Sequence, residues 1–305
     1  MIRHFSIRVG QALLALLVVL LLVFLSSRAT GSPLDLLLGP QATQADYARL
    51  ERELGLDQPI HVQFGRYAVG LASGDMGKSL RTREPVASMI ASTAPASIVL
   101  GTASLAVAAL LAVPLGVFAA SHRGQLVDRA TTALSVFWMS MAPFWFGIVL
   151  IAVFAVRLRW FPAGGNAGIR SIVLPGLTLA LFATGGLTRL IRTSMLEALG
   201  SEYVRLARST GASERRVLWR HALRNALLPA VNYLGILFAL VITVNAVVEA
   251  VFDWPGLGRM VYNAILSRDF PVVQGLVLLA ATIAIGVNLL VDVVMLGIDP
   301  RTRRG

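Results

Sequence analysis

The sequence predicts an all-α polytopic membrane protein with six transmembrane helices and both termini on the cytoplasmic side. Three observations carry this. First, 56% of the 305 residues are hydrophobic and only 14% are charged, and the mean hydropathy of +0.73 lies above the range of soluble globular chains. Second, six apolar runs reach the length needed to cross hydrocarbon, about 20 residues in a helix. Third, Lys and Arg are partitioned unevenly between the short connections.

The first run, Ile7–Ser27, follows Arg3 and Arg8. Its length, and the poor small-residue cleavage site at Ser26, Ser27 and Arg28, favour a retained anchor over a removed signal. The other runs are Ile98–Ala120, Thr131–Val156, Ile172–Thr193, Leu227–Ala250 and Val272–Leu296. With the N-terminus inside, the cytoplasmic segments hold fifteen arginines: Arg3, Arg8, Arg123, Arg129, Arg189, Arg192, Arg205, Arg208, Arg215, Arg216, Arg220, Arg224, Arg301, Arg303 and Arg304. The two short outer loops hold five, namely Arg157, Arg159, Arg170, Arg259 and Arg268. The net charge of +11 follows from this topology rather than from a nucleic-acid-binding surface. With no cysteine, disulfides, thiolate metal sites and cysteine catalysis are excluded.

Three segments are expected: an N-terminal anchor over 1–30, an extracytoplasmic subdomain over 31–95, and a five-helix core over 96–305. In the subdomain, Gln44–Leu54 reads as an amphipathic helix stopped by Gly55. Pro59–Leu71 reads as a second, with Ile60, Phe64, Tyr67 and Leu71 at helical spacing. Gly77-Lys78-Ser79 resembles the end of a phosphate-binding loop, but Ala72 occupies the first glycine position and no βαβ pattern surrounds it. It reads as a surface turn.

Prolines interrupt the spans at Pro114, Pro143 and Pro175. Pro143 stands near mid-membrane beside Met139, Ser140, Phe144 and Trp145, where a packing kink and a bend lining a translocation path are both open. Thr243, Asn245 and Glu249 of the fifth run are further candidates for that path. Glu249 and Asp253 flank its outer end, and Asp292 near the inner end of the sixth run reads as half of an ion pair.

The most informative stretch is the connector between the fourth and fifth runs, with its loop at 195–226. Met195–Ser209 has helical spacing, Gly211 breaks it, and Ser213 is placed to cap a second helix, Glu214–Asn225. Pro229 is expected in the first turn of the next span. The residues alone leave a solvated basic loop and a docking knob equally open.

YVRLARSTGASERRVLWRHALRNALLP, Tyr203–Pro229, resembles the cytoplasmic coupling motif of permease subunits in binding-protein-dependent ABC importers. Arg205-Leu206-Ala207 stands where the family pattern has Glu-Ala-Ala, and Gly211 keeps its place. The departures match the peptide branch, from which this stretch differs mainly at Leu206, Ser209, Thr210, Ala212 and Trp219. Leu54–Val86, Trp160-Phe161-Pro162, Val248–Gly275 and Asn288–Arg304 are similar, in order, to the B-type permeases of dipeptide, oligopeptide and nickel importers.

The resemblance implies a type I importer permease of the MetI-like fold in the inner membrane of a prokaryote. It implies import of short peptides by alternating access, with nickel chelates, glutathione or another small solute as alternatives. The implied partners are a second homologous permease, two ABC ATPase subunits, an extracytoplasmic substrate-binding protein and membrane lipid, with no nucleic acid. The implied coupling residues are Glu202, Tyr203, Val204, Arg205, Ala207, Arg208, Gly211, Ala212 and Ser213. This chain is then no enzyme and binds no cofactor; ATP and Mg belong to the partner subunits. The rival classes are an intramembrane enzyme and a self-sufficient channel or carrier. Both fare poorly against four scattered histidines (His4, His61, His122, His221), the absence of a filter motif and the unexplained basic loop.

Overall fold

The structure is a computed structural model that describes residues 2–29, 34, 38, 43–53 and 55–298. Described side chains exclude residues 1–9, 27–33, 35–37, 39–42, 53–54, 242–244 and 291–305. Expectations for Arg3, His4, Arg8, Arg28, Thr243, Asp292, Arg301, Arg303 and Arg304 therefore fall outside the described side chains. Apart from one isolated antiparallel bridge, Lys78 to Pro85, the described regular structure is helical.

In chain order the helices are α1 (Ile2–Ala29), α2 (Gln44–Glu53), α3 (Ile60–Ala72), α4 (Val86–Ser121), α5 (Leu126–Ser140) and α6 (Pro143–Leu150), the last continuing as a π-helical stretch, Ile151–Arg157. Then come α7 (Ile169–Leu199), α8 (Glu202–Ser209) and the single turn α9 (Glu214–Arg216). A π-helical segment, Val217–Ala222, leads into α10 (Leu223–Val244), α11 (Ala246–Val251), α12 (Leu257–Leu266) and α13 (Phe270–Ile298). Four described helical stretches are long and apolar enough to cross a membrane: Val86–Ser121, Ile169–Leu199, Glu214–Val241 and Phe270–Leu290. The bent pair α5–α6 makes a fifth, and α1 contributes a shorter apolar stretch, Gly10–Ser26.

The chain divides into two compact units, one of residues 1–95 with 259–285 and one of residues 96–258 with 286–305. In the first, Phe24 of α1 meets Phe64 and Tyr67 of α3 with ring centroids 5.4 and 5.8 Å apart. Packing of α3 on α1 half-buries Tyr67 with its hydroxyl inward, and burial pushes the hydroxyl pKa up to about 12. The Gly77-Lys78-Ser79 turn is pinned rather than loose. Buried Ser79 donates to the buried carboxylate of Asp269, whose other oxygen accepts the Leu80 N–H at 3.0 Å. A serine committed to an aspartate offers nothing to a phosphate.

In the second unit α7 is the central post. Its Leu187, Ile191, Met195 and Ala198 pack with Ala112, Val117 and Ala120 of α4 and with Ala222, Leu223, Ala226 and Ala230 around the start of α10. The many alanines let these helices approach closely, the usual means of association where hydrocarbon replaces water. On another side α7 meets α5. At Gly185 an added Cβ would stand 2.6 Å from the Ser135 carbonyl oxygen and 2.8 Å from Met139 Cγ. Only a residue without a side chain permits that approach.

Candidate functional site: a basic knob and a broken span

The connector after α7 differs from expectation in three ways. Met195–Ser209 is not one helix: α7 ends at Leu199, and Gly200 and Ser201 turn the chain before α8. The helix from Glu214 does not stop at Asn225. It runs on through the π-helical turn into α10, so Pro229 lies inside that helix rather than in its first turn. The physical reason is burial. Val217, Ala222, Leu223, Ala226 and Ala230 form one inward stripe against α7, and a membrane helix tolerates an interior proline when its neighbours hold it. Finally, Ser213 has the extended backbone of a cap residue, but its side chain makes no capping bond. Its carbonyl accepts the Val217 N–H at 2.9 Å instead.

The knob is therefore α8, a short helix slung between two long ones. Gly211 makes the return turn at φ +85°, in the left-handed region that L residues avoid. Arg208 forms an exposed bidentate ion pair with Glu214 across that turn, at 2.8 and 3.3 Å. Val204 is fully buried and Ala212 packs on the same cluster, so these two hold α8 to the bundle rather than offering surface. Glu202, Tyr203, Arg205, Arg208, Gly211 and Ser213 are exposed, and Ala207 is half-buried.

Leu206 and Trp219 were not singled out as site residues in the sequence, yet they are 64% and 42% exposed, beside Tyr203 at 40%. Their only sequence signal is that both depart from the peptide-branch pattern. Tyr203 and Leu206 thus expose large apolar side chains among arginines outside the membrane-length stretches.

An ion pair roots this region. Arg192 of α7 grips Asp128 in the first turn of α5 through Nε–Oδ1 at 2.5 Å and Nη2–Oδ2 at 2.9 Å. The Gly124 N–H also donates to Asp128.

The candidate path residues separate into two groups. Met139, Ser140 and Pro143 meet at a break: α5 and α6 are bent by 98° across Ser140–Pro143, with Met141 and Ala142 extended. Met139, Ser140 and Ala142 are exposed. Trp138, Met141, Pro143, Phe146, Thr178 and Phe182 line a shallow recess there.

Asn245 and Glu249 lie elsewhere, where α10 gives way to α11. The Asn245 side-chain amide donates to the Val241 carbonyl, closing the helix end on itself. Glu249 is 1% exposed and accepts the Ser97 hydroxyl at 2.7 Å, while Ser97 Oγ accepts the Leu257 N–H at 2.8 Å. Trp254 Nε1 donates to the Ala96 carbonyl, and Gly256 lies directly against the Glu249 carboxylate. Glu249 thus stands inside a packed turn and faces no open surface in this conformation. Asp253 on the same turn is exposed, at φ +50°.

Membrane-length helices around a central post, one of them broken, with a basic knob hung from the post, define a multi-pass membrane transport component. Residues 112–304 match the family of binding-protein-dependent transport system inner membrane components, and the chain belongs to that family. It is 38% identical over 305 residues to a Brucella abortus (strain 2308) protein provisionally named a peptide transport system permease, covering 97% of each chain. It is 39% identical over 289 residues to the glutathione transport system permease GsiC of Salmonella paratyphi A, covering 94% of each. Its fold is similar to that of a chain of the MetNI methionine ABC transporter, crystallised inward-facing. The TM-score is 0.60 at 17% identity, over 69% of this chain and 96% of that one. The protein is an all-α, multi-pass inner-membrane permease subunit of an ABC importer, with bacterial relatives.

Proposed function

We propose that this permease passes short peptides across the inner membrane by alternating access, with energy entering through Glu202–Ser213. The observation that carries the proposal is the knob. A helix with exposed arginines and apolar side chains, turned at Gly211 and anchored by Val204, is rigidly continuous with α7 through one buried cluster. A push on α8 is transmitted to the central post because packed cores shift as units. In this reading a pair of ABC ATPases receives the knob and holds ATP and Mg, so this chain needs no cofactor of its own. A second homologous permease completes the path, and a binding protein delivers cargo at the outer face. Six spans with both termini inside, an outer subdomain over 31–95 and a core over 96–305 belong to the same proposal.

The peptide assignment rests on the transport systems for which its relatives are named. Glutathione is the second reading for the same reason, and the two share a chemistry, since glutathione is itself a tripeptide with free carboxylates. The test is co-purification followed by uptake. The chain, expressed with its neighbouring-gene partners, should hold an ATPase pair. In vesicles, with ATP and the cognate binding protein, it should accumulate a labelled dipeptide or glutathione. Transport by this chain alone, without ATP, would refute the assignment.

A further inference from the structure

We infer that Arg189 is a fixed positive charge on the wall of the translocation path and binds a carboxylate of the passing cargo. The inference rests on the permease reading and names a residue that this reading lacks.

By sequence Arg189 is one more arginine of the cytoplasmic connector. The structure instead turns its guanidinium toward the broken span, with Nη1 3.9 Å from Met139 Sδ. Met139 lies about 16 Å of helix beyond Asp128 along α5, and Asp128 with Arg192 marks the inner end of that helix. Arg189 is thus drawn up from the inner boundary toward Ser140 and Ala142. The close approach at Gly185, which faces both the Ser135 carbonyl and Met139, brings the two helices near enough for this reach.

Its neighbour Arg192 is consumed by Asp128. Arg189 is exposed, and no carboxylate among the described residues pairs with it. Beside it the backbone is non-helical at Met141 and Ala142, and Ala142 is exposed. The last carbonyls of α5 have no next helical turn to donate to them.

Lipid tails satisfy neither feature. Irregular backbone at membrane depth is tolerated only against protein or water, and charges within spans face bundle interiors or water-filled cavities. Two features that hydrocarbon rejects, close together, turn that face toward the path and the second permease rather than toward lipid. A guanidinium in such a place is suited to bidentate recognition of a carboxylate, the group that every free peptide C-terminus supplies.

The natural chain has no cysteine, so a single Met139→Cys reports on this face within the assembled transporter. A negatively charged sulfonatoethyl and a positively charged trimethylammonioethyl methanethiosulfonate are compared, each rate normalised to a free thiol. The cysteine is expected to react and to favour the anionic reagent. That preference should fall about tenfold when Arg189→Gln is added, because one nearby charge acts with opposite sign on the two reagents. Arg189→Lys should keep the preference.

In the natural background, uptake of a free dipeptide relative to its C-terminal amide should fall toward unity in Arg189→Gln and persist in Arg189→Lys. Failure to label with either reagent in any nucleotide state, a preference independent of residue 189, or an unchanged ratio of free to amidated uptake overturns the inference. If the wild-type complex imports no peptide while the labelling preference holds, the peptide reading fails and the charged wall stands.

Discussion

Gly211→Asp separates what the knob needs to fold from what it needs to dock. Gly211 sits at φ +85°, and a Cβ added there meets no heavy atom within 4 Å. The substitution therefore introduces no clash within this chain, only left-handed strain of about 1–2 kcal/mol. Aspartate tolerates that region better than most residues, so the lower end applies. Against total stabilities of about 5–15 kcal/mol the cost is bearable. At a docked surface the balance differs, since an uncompensated carboxylate in a closed interface costs about 3–5 kcal/mol. Each 1.4 kcal/mol is about a tenfold loss of affinity, so binding of the ATPase pair should weaken by more than about a hundredfold.

The assay has three readings: membrane yield, ATPase co-purification and ATP-dependent uptake with the binding protein present. Gly211→Asp should keep its membrane yield and lose the other two. Gly211→Ala carries at least as much backbone strain without the charge and should likewise keep its membrane yield. Normal uptake by Gly211→Asp with its ATPases attached would refute the coupling role. Loss of both variants from the membrane would refute the claim that the turn has room.

Ser97→Ala should lower thermal stability in detergent by about 1–3 kcal/mol, because the buried Leu257 N–H loses its acceptor; an unchanged melting curve would refute the bridge. Asp128→Ala and Arg192→Ala should each destabilise the second unit. In a double-mutant cycle followed by the same unfolding assay, their coupling should reach about 1.5–3 kcal/mol, as for charge-assisted bonds; strict additivity would disprove the pairing. In alkaline titration followed by tyrosinate absorbance, Tyr67 should ionise late, near its folded pKa of about 12. A folded pKa above the unfolded value leaves its contribution intact below about pH 10 and removes it as pH rises through about 12. A first unit as stable at pH 12 as at pH 9 would contradict this.

Much of the molecule was legible because its signals are local. Hydrocarbon thickness sets span length, so apolar runs announce themselves one by one. The stop of α2 before Gly55, at φ +65°, and the turn at Gly211 follow from what glycine alone permits. The knob's basic character and several blocks of family resemblance are likewise contiguous in sequence. Pro229 misled because proline at a helix start is a local rule, and the buried stripe from Val217 to Ala230 overrides it. Ser213 misled for a similar reason, since the Arg208–Glu214 pair spans the turn and Ser213 contributes only its backbone carbonyl.

By itself the sequence determined the class: a membrane-embedded, all-α protein with a basic connector between two of its apolar runs. Only the tertiary structure decided which polar residues act alone. It paired Glu249 with Ser97, Asp269 with Ser79 and Asp128 with Arg192, partners far apart in the chain. It left Arg189 beside a broken helix with no carboxylate partner among the described residues. Pairing over such separations depends on which helix faces meet, and composition and periodicity are blind to that. The same knob that reads as a basic loop in sequence becomes, in three dimensions, a short helix fixed by Val204 to the central post.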